Sequence, residues 1–322
     1  MISRRLALAS LCLPLPRLAA AQSGAYPARP VRLVVPYPPG GTTDIMGRVV
    51  AQRLTELWGQ RVVVDNRAGA GGSIGTEHVA RSAPDGHTLT LGNSASHGAN
   101  VLLSPAPTYD PVRDFSAISM LAIVRQMLVV QPALPVRSVA DLVALAKAQP
   151  GRLTFSSSAI GGAPHLAGEL FKLVAGVDML HVPYNGAAPA LNALLAGDVT
   201  MLFGSVPTVS ELSKDGRLRA LAIASGGRSA LVPDVPTMAE AGLAGVEMDS
   251  WNGIFAPAGT PAPVIAKINA DLRQSLGNEE MTRRLAELGF ELSLTSPDAL
   301  ATHVASEMTR IRRLITDAKI TG

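Results

Sequence analysis

Residues 31–44 read VRLVVPYPPGGTTD, and this stretch indicates the architecture of the chain. Its first seven residues, Val31 to Tyr37, are apolar and β-branched, which predicts a buried strand. Two prolines and two glycines end that strand, and the pattern from Asp44 to Trp58 has helical spacing. A helix N-terminus offers unpaired backbone N–H groups and the positive end of a dipole, and glycines let a ligand approach the backbone. The junction is therefore predicted to hold an anion.

The next segments continue the alternation of strand and helix. Strands are predicted over residues 61–65 and 88–91, with a short helix between them that ends at Arg81. The order β-α-β-α-β is typical of a parallel sheet covered by helices. The stretch from Asn93 to Phe115 is rich in Ser, Pro and Asn, and it is predicted to be a long surface excursion.

The pattern then restarts, which predicts a second lobe. Strands are expected over residues 126–130, 153–156, 179–182, 199–203 and 219–224, and helices over residues 139–148, 165–175 and 187–196. A helix over 263–276, with Thr260 as N-cap and Pro261 as first helical residue, a strand over 290–294 and a helix over 296–318 complete the prediction.

The first 21 residues have the order of a secretory leader. Arg4 and Arg5 precede an apolar run, and Ala19-Ala20-Ala21 supplies a small-residue cleavage site, so cleavage is predicted near Ala21 and the protein is expected in the periplasm. The leader also contains Cys12, the single cysteine of the chain, so no disulfide or cysteine metal site is expected after cleavage.

Charge excludes one class of partner. Three of the 28 basic residues lie in the leader, so the remainder carries 25 basic and 25 acidic residues. A neutral mature chain gives no reason to expect nucleic acid as a partner. No later apolar run reaches the ~20 residues that a membrane span needs, so a soluble protein is expected.

Six motifs occur in order along the chain. They are YPPGGTTD at 37–44, VDNRAGAGG at 64–72, PDGHTL at 84–89, YDPVRDF at 109–115, HLAGE at 165–169 and VPYNGAAPA at 182–190. Together they resemble the substrate-binding proteins of tripartite tricarboxylate transporters, the Bordetella uptake gene (Bug) family. The resemblance runs from about Tyr26 to the C-terminus.

The resemblance implies a bilobal α/β fold of the periplasmic-binding-protein (flytrap) type. Two parallel-rich sheets covered by helices would be joined by crossing strands. The first lobe would contain residues 22–122 and 253–322, and the second lobe residues 123–252. The family implies binding of a small carboxylate, dicarboxylate, amide or aromatic acid between the lobes. We expect no cofactor, no metal and a monomeric protein.

The same resemblance implies which residues bind the ligand. Backbone N–H groups of opposing strand-to-helix loops would hold a carboxylate, with a polar loop after the third strand and a turn in the second lobe beside them. The implied set is Tyr37, Gly40, Gly41, Thr42, Ser94, Ser96, His97, Ser157, Ser158, Gly161, Gly162 and Asn185. Asn185 stands where relatives commonly carry lysine.

Four other features are interpreted as structural. Asp44 and Arg48 are expected to form an ion pair within one helix, and the glycines of residues 69–75 to form a tight turn with close packing. His165 and Glu169 are expected to be a hydrogen-bonding pair, because no third metal ligand is spaced with them. Trp251 is assigned either to core or hinge packing or to ligand stacking.

Three functions remain open at this point. The first is a solute-binding protein that delivers its ligand to the permease subunits of a tripartite transporter. The second is an exported α/β enzyme, such as a hydrolase acting on a small acid, although no G-x-S-x-G, H-E-x-x-H or G-K-[ST] motif supports catalysis. The third is a ligand-binding component of a sensor.

Overall fold

The computed structural model describes residues 26–321. The predicted leader, with its cleavage site near Ala21, lies outside the described residues. Within the described part, none of the helices is both long and apolar enough to cross a membrane.

Eleven strands form two sheets within the described residues. In chain order they are β1 (Val31–Val35), β2 (Val62–Asn66), β3 (Thr88–Gly92), β4 (Phe115–Val124), β5 (Gln126–Val130), β6 (Thr154–Ser157), β7 (Leu180–Pro183), β8 (Met201–Ser205), β9 (Arg219–Ile223), β10 (Ser250–Pro257) and β11 (Glu291–Leu292). The first sheet has the order β11-β4-β10-β3-β1-β2, and the second has the order β7-β6-β8-β5-β9.

Helices cover both sheets. They are α1 (Thr42–Trp58), α2 (Ser73–Ala80), α3 (Asn100–Leu103), α4 (Val139–Ala148), α5 (Ala163–Ala175), α6 (Ala187–Ala196), α7 (Val206–Lys214), α8 (Ala262–Leu276), α9 (Glu279–Glu287) and α10 (Pro297–Asp317). A 3₁₀ turn at Ala70–Gly72 and a π-helical turn at Ala95–Ala99 precede α2 and α3.

Both sheets are mixed, whereas parallel-rich sheets were expected. β1 pairs in parallel with β2 and β3, but β10 runs antiparallel to β3 and β4. In the second sheet β6 is parallel to β7 and β8, while β5 is antiparallel to β8 and β9. In the first sheet β11 is also antiparallel to β4, so all its antiparallel pairs involve β4 or β10, the strands on either side of the crossings.

The helix α1 shows how the strand-to-helix stretch at residues 31–44 folds. Its N-cap Gly41 has extended backbone (φ −79°, ψ 168°) and no side-chain cap, and Gly59 ends the helix with φ +63°. One face of the helix buries Met46, Val50 and Leu54 against the first sheet. Burial of each such side chain contributes about 1.5–3 kcal/mol, so this face holds the helix and its N-terminus in place.

Each sheet has an apolar cluster on both faces. On the first sheet, one cluster joins α1, α8 and α9, and the other surrounds Trp251 and Phe255 of β10. On the second sheet, one cluster contains Phe155 and Phe171, and the other contains Met127 and Val206. This is the three-layer α/β/α arrangement that the alternating sequence predicts.

Two crossings join the sheets. The chain passes from β4 to β5 at Arg125, and it returns from β9 to β10 between Ala224 and Asp249. Arg125 donates hydrogen bonds to the Glu291 carboxylate and to the Ser225 hydroxyl, and Ser225 donates to Asp249 Oδ2 at 2.7 Å. This polar group lies where both crossings meet.

The last helix, α10, contacts both sheets. Leu300 and Val304 in its first half belong to the cluster around Trp251, whereas Ile311 and Leu314 in its second half belong to the cluster around Phe155. Trp251 also donates its indole N–H to the Glu307 carboxylate in the middle of α10. Trp251 is therefore a core residue, which decides between the two interpretations of this side chain.

Two expectations about local structure were wrong. Residues 94–99 do not form a surface excursion, because all six are buried beneath α10 and β10. Thr260 is not a helix N-cap, because its hydroxyl donates to the Pro257 carbonyl and α8 begins at Ala262 after Pro261. The long strands β4 and β10 and the helices α7 and α9 were not predicted.

Candidate functional site

The predicted site residues gather at two facing sheet edges. The carboxyl ends of the parallel strands β1 and β3 lead into residues 37–42 and 93–97, and the carboxyl end of β6 leads into residues 157–162. The two edges contact each other at Gly161, where a Cβ would lie 3.0 Å from Ala99 Cβ and 3.0 Å from Asn100 Oδ1. We call residues 40–42 the first loop and residues 157–162 the second loop.

The first loop is open to approach. Gly40 (φ +89°) and Gly41 are exposed, and a Cβ at either residue would meet nothing within 4 Å. The Gly40 N–H, however, donates to Asp44 Oδ2 at 3.0 Å. Gly40 therefore shapes the loop, and its N–H is not available for a ligand.

The first turn of α1 keeps its donors free. Within residues 26–321, the backbone N–H groups of Gly41, Thr42 and Thr43 have no hydrogen-bond partner. They point out of the N-terminal end of a 17-residue helix, where the helix dipole favours an anion. Of the three residues predicted for this anion site, Gly41 and Thr42 keep a free N–H group and Gly40 does not. Thr43 was not predicted but also has a free N–H group.

The buried carboxylate of Asp44 fixes the first loop through its hydrogen bond with the Gly40 N–H. It is 2% exposed, and it accepts hydrogen bonds from Gly40 N, from Arg48 Nε at 2.9 Å and from Asn66 Nδ2 at 2.9 Å. Burial by itself would raise the pKa of this carboxyl group, but the bonds from Arg48, Gly40 and Asn66 outweigh burial and hold the pKa below its ordinary value. The expected Asp44–Arg48 ion pair is confirmed.

Tyr37 and the loop after β3 form one hydrogen-bonded unit. Tyr37 donates its hydroxyl to Asn93 Oδ1 at 2.7 Å, and the same oxygen accepts from the N–H groups of Ala95 and Ser96. Burial raises the pKa of the Tyr37 hydroxyl. A Cβ at Gly72 (φ +103°) would lie 2.9 Å from the Tyr37 ring, which confirms that this glycine segment is a tight turn with close packing.

Ser94, Ser96 and His97 lie deeper than the other predicted residues. All three are at most 1% exposed, and the His97 ring stacks on Phe255 at a centroid distance of 4.0 Å. Burial lowers the pKa of His97 to about 3, so the ring is neutral. Its Nδ1 lies 3.1 Å from the Ser96 hydroxyl. This geometry favours a supporting role for His97 behind Asn93 over contact with a ligand.

The second loop is held by two histidines. Gly161 donates its N–H to His165 Nδ1 at 3.0 Å, and the Ser157 hydroxyl lies 2.7 Å from His181 Nε2. Gly162 donates to the Ala159 carbonyl, so neither glycine N–H is free. The hydroxyl of Ser158 makes no hydrogen bond among the described residues and remains available. Of the four residues predicted in this loop, Ser158 thus has the clearest free donor.

Asn185 lies on the turn between β7 and α6 and is exposed. The neighbouring Gly186 donates its N–H to the Ser158 carbonyl at 2.9 Å, which ties this turn to the second loop. The structure therefore brings Asn185 to the same edge as Ser158, although no contact joins the two side chains.

Two buried amides at this edge were not predicted from the sequence. Asn252 is 1% exposed, and neither its Nδ2 nor its Oδ1 has a partner within the described residues. Gln126 is also 1% exposed; its Nε2 donates to the Val124 carbonyl at 3.2 Å, and its Oε1 has no partner there. Leaving a buried polar group unpaired costs about 1–3 kcal/mol, which marks both amides as candidates for a ligand or water.

Strand pairing places these amides at the two edges. Gly253 pairs with Gly92, so Asn252 lies just past the carboxyl end of β3, and Gln126 pairs with Ser205 at the carboxyl end of β8. Trp251 and Phe255 face the cluster under α10, whereas Ile254 faces α1. Alternation along β10 puts Asn252 on the α1 side, near the free N–H groups.

A metal site is not supported at this edge. Among residues 26–321, no group of three or more His, Cys, Asp or Glu side chains could hold a metal ion. His165 Nε2 lies 4.0 Å from Glu169 Oε1, which is too long for a hydrogen bond, so the expected hydrogen-bonding pair was wrong: the ring accepts from the Gly161 N–H, and Glu169 pairs with Lys172.

A groove elsewhere takes no part in this arrangement. It has a volume of about 690 Å³ and runs along α2 and β2, with Arg32, Asp65 and Arg67 in its lining. None of the twelve predicted site residues lines it. We therefore place the candidate site at the two loops and not in this groove.

A family model and a curated relative both match most of the chain. Residues 46–320 match the family described as "Tripartite tricarboxylate transporter family receptor". The chain is 41% identical over 286 residues to protein BugT of Bordetella pertussis, covering 88% of each chain.

Solved structures are similar over nearly the whole chain. The R. palustris protein Rpa4515 with adipate is 38% identical, with a TM-score of 0.86 over 92% of this chain and 99% of that one. MatC from Rhodopseudomonas palustris with bound malate is 33% identical, with a TM-score of 0.82 over 90% of this chain and 100% of that one. These similarities confirm the bilobal α/β fold of the binding-protein type.

Proposed function

The chain belongs to the tripartite tricarboxylate transporter family of receptors, and we propose that it captures a small carboxylate between the first and second loops. A receptor of this family binds a solute for a transporter, so the chain is a solute-binding protein and not an enzyme. Adipate and malate, which accompany two similar structures, are both dicarboxylates and support a ligand of this class.

One observation carries the proposal for the site. The free N–H groups of Gly41, Thr42 and Thr43 converge at the N-terminus of α1, beside a loop with no side chain in the way of a ligand. A carboxylate there accepts charge-assisted hydrogen bonds, which are roughly twice as strong as neutral ones. The helix dipole adds about 0.3–1 kcal/mol or more when the site is partly buried.

Contacts from the other edge complete the proposed site. The free hydroxyl of Ser158 and the exposed Asn185 would reach the ligand from the second lobe, and the amides of Asn252 and Gln126 would meet its polar groups near the crossings. A ligand shifts an equilibrium between open and closed forms only if it binds one form better. Contacts from both lobes provide that difference.

We place residues 22–122 and 253–322 in the first lobe and residues 123–252 in the second, with export to the periplasm after cleavage near Ala21. The closed monomer would deliver its ligand to the membrane permease of a tripartite transporter. A sensor as partner would use the same closed form, and binding to purified permease subunits with and without ligand separates these two partners.

A binding panel tests the function. Protein freed of carried-over ligand by unfolding and refolding is titrated with malate, adipate, citrate and benzoate, each compared with its methyl ester. A true ligand at one hundred times its Kd stabilises the fold by about 2.7 kcal/mol, and its ester binds far more weakly. Absence of binding by every acid, or recovery of a chemically altered acid, would overturn the proposal.

A further inference from the structure

We propose that His165 and His181 are positioning residues that hold the second loop in its binding shape as a pair of uncharged, stacked imidazoles. The inference rests on the proposed function, because it concerns the loop that closes over the carboxylate. Neither ring is expected to touch the ligand. Each ring holds one end of the loop.

The two rings contact opposite ends of residues 157–161. His165, at the third position of α5, accepts the Gly161 N–H at its Nδ1. His181, on β7, places its Nε2 at 2.7 Å from the Ser157 hydroxyl. The loop is thereby fixed from two different elements of the second sheet and its covering helix.

Stacking fixes the rings themselves. The centroids of His165 and His181 lie 4.0 Å apart with an interplanar angle of 18°, and His181 also stacks on Phe155 at 4.8 Å. His165 is 3% exposed. A shift of either ring would therefore move the other, so the two loop contacts are made or lost together.

The hydrogen bond to Gly161 requires the His165 ring to be neutral, whereas the His181 ring is kept neutral by burial and not by its bond to Ser157. Nδ1 of His165 must keep its lone pair to accept from Gly161, so the ring proton lies on Nε2, on the side of Glu169. The Ser157 hydroxyl donates to the Ala159 carbonyl at 3.1 Å, so it accepts the Nε2 proton of His181. A second proton on His165 would place two donors against each other.

The surroundings keep the rings neutral. The titratable groups that face His165 among the described residues are His181, Glu169 and Lys172, and Lys172 Nζ lies 2.9 Å and 3.0 Å from the two oxygens of Glu169. Burial, then His181 and Lys172, lower the pKa of His165 to about 3; burial and Lys172 lower the pKa of His181 to about 4. Lys172 thus acts twice, by repelling a ring proton and by neutralising Glu169.

The sign of the pH dependence follows from these shifts. Both pKa values are lower in the folded protein than the ordinary value near 6.5, so the unfolded chain binds more protons below that pH. The contribution of the pair to the loop is complete above about pH 6.5. It is lost as the pH falls through about 4 and then about 3.

Two substitutions of His165 separate positioning from packing. His165→Asn offers an amide oxygen near the place of Nδ1 but no ring, and His165→Phe keeps a ring but no acceptor. We expect His165→Phe to weaken binding of malate or adipate by roughly 5- to 100-fold, since the Gly161 N–H is left unpaired. His165→Asn should remain within about threefold of wild type, because it keeps the hydrogen bond. Equal losses in both folded variants would assign the residue to packing alone.

The charge at Lys172 provides a second test. Lys172→Met removes the cation and leaves Glu169 unpaired, so both ring pKa values should rise. The ratio of Kd at about pH 5 to Kd at about pH 7.5 should then exceed the wild-type ratio. Lys214→Met, which breaks the exposed Lys214–Glu211 pair, is the matched control and should leave the ratio unchanged. An unchanged ratio in Lys172→Met would contradict the proposal.

One measurement needs no ligand and separates the two proposals. Hydrogen exchange of the Gly161 amide in free protein should be slow in wild type and His165→Asn and fast in His165→Phe. If no acid binds but this pattern holds, the proposed function fails and the positioning role stands. If acids bind but Gly161 exchanges equally fast in all three proteins, the positioning role is overturned.

Discussion

The first and second loops are both strand-to-helix junctions rich in glycine, yet they are held by opposite means. The first loop is exposed and is fixed by a charged group, the Asp44 carboxylate with Arg48 and Asn66. The second loop is buried only at Ser157 and Gly161, and these two residues are fixed by the neutral rings of His181 and His165. The first loop keeps free N–H donors, whereas the second has used its glycine N–H groups and keeps a free hydroxyl at Ser158.

This contrast bears on the carboxylate site proposed between the two loops. An acidic group beside such a site would repel the ligand, and Arg48 at 2.9 Å from Asp44 offsets that charge next to the first loop. The second loop has no acid among its own residues and holds its shape with dipoles. We therefore expect the shape of the first loop to depend on the Asp44–Arg48 ion pair. The shape of the second loop should depend on the protonation state of His165 and His181.

The largest expected effect comes from removing the charge under the first loop. Asp44→Asn should lower the free energy of unfolding by about 2–4 kcal/mol, because three donors lose a charged acceptor. Binding should be lost together with the loop. Chemical denaturation and calorimetry measure the two effects, and Asp141→Asn, at the exposed N-terminus of α4, should have a much smaller effect.

The same variant has a pH signature. The folded pKa of Asp44 lies below its ordinary value, so its contribution to stability is present above about pH 4 and is lost as the pH falls through the folded pKa. Stability of Asp44→Asn should therefore fall less on acidification than stability of the wild type. A parallel fall in the two proteins would contradict the role given to this carboxylate.

The second effect concerns access to the first loop. Gly41 has φ −79° and open space where a Cβ would lie, so Gly41→Val should fold, with a loss of about 1 kcal/mol because valine is a poorer N-cap than glycine. The added side chain covers the free N–H groups, and affinity for malate or adipate should fall by more than about tenfold. Gly40→Val is the matched variant, and it should lose stability because Gly40 has φ +89°.

Calorimetry and circular dichroism decide this comparison. Wild-type affinity in a folded Gly41→Val protein would mean that the anion lies elsewhere. Because the backbone of Gly41 is allowed for valine, a loss of binding cannot be attributed to strain at this position.

The third effect separates a ligand contact from a structural amide. Asn252→Leu keeps the volume but removes two unpartnered polar atoms, so stability should be unchanged or higher, while affinity falls by about 5- to 10-fold. Asn269, whose Nδ2 donates to the carbonyls of Ile118 and Thr295, is the control. Asn269→Leu should lose stability. A stability loss in Asn252→Leu without an affinity loss would remove this residue from the site.

The smallest effects compare single hydroxyl groups on the two loops. Thr42→Ala and Ser158→Ala should each weaken binding by about 0.5–1.5 kcal/mol if the hydrogen bond is neutral, and by up to about 3 kcal/mol if it meets the charge. The double variant, measured by calorimetry, shows whether one ligand spans both loops. Binding losses in only one single variant would place the ligand on that loop alone.

The sequence predicted the local features of this site better than its long-range ones. The strand β1, the first loop and α1 follow from periodicity and from glycine and proline positions within 28 residues. The strand β10 was missed because its partners are distant: Trp251 pairs with Ile123. Asn252 and Gln126 lie beside residues far away in the chain, so no local pattern marks them.

His165 shows the same limit at short range. The spacing of His165 and Glu169 predicts a pair on one helix face, and the two side chains do lie close together. The hydrogen bond of the His165 ring, however, is accepted at Nδ1 from the N–H of Gly161, four residues earlier in the chain. Spacing identified the right residue, but only the path of the loop before α5 identifies its partner.

The helix α10 has a mechanical consequence for any movement between the two sheets. Its 21 residues span about 31 Å, with one half embedded in the apolar cluster of the first sheet and the other half in that of the second. A rod held at both ends by buried side chains resists both bending and twist. Opening of the cleft is thus expected to require the side chains of one half, such as Ile311 and Leu314, to shift within their apolar cluster.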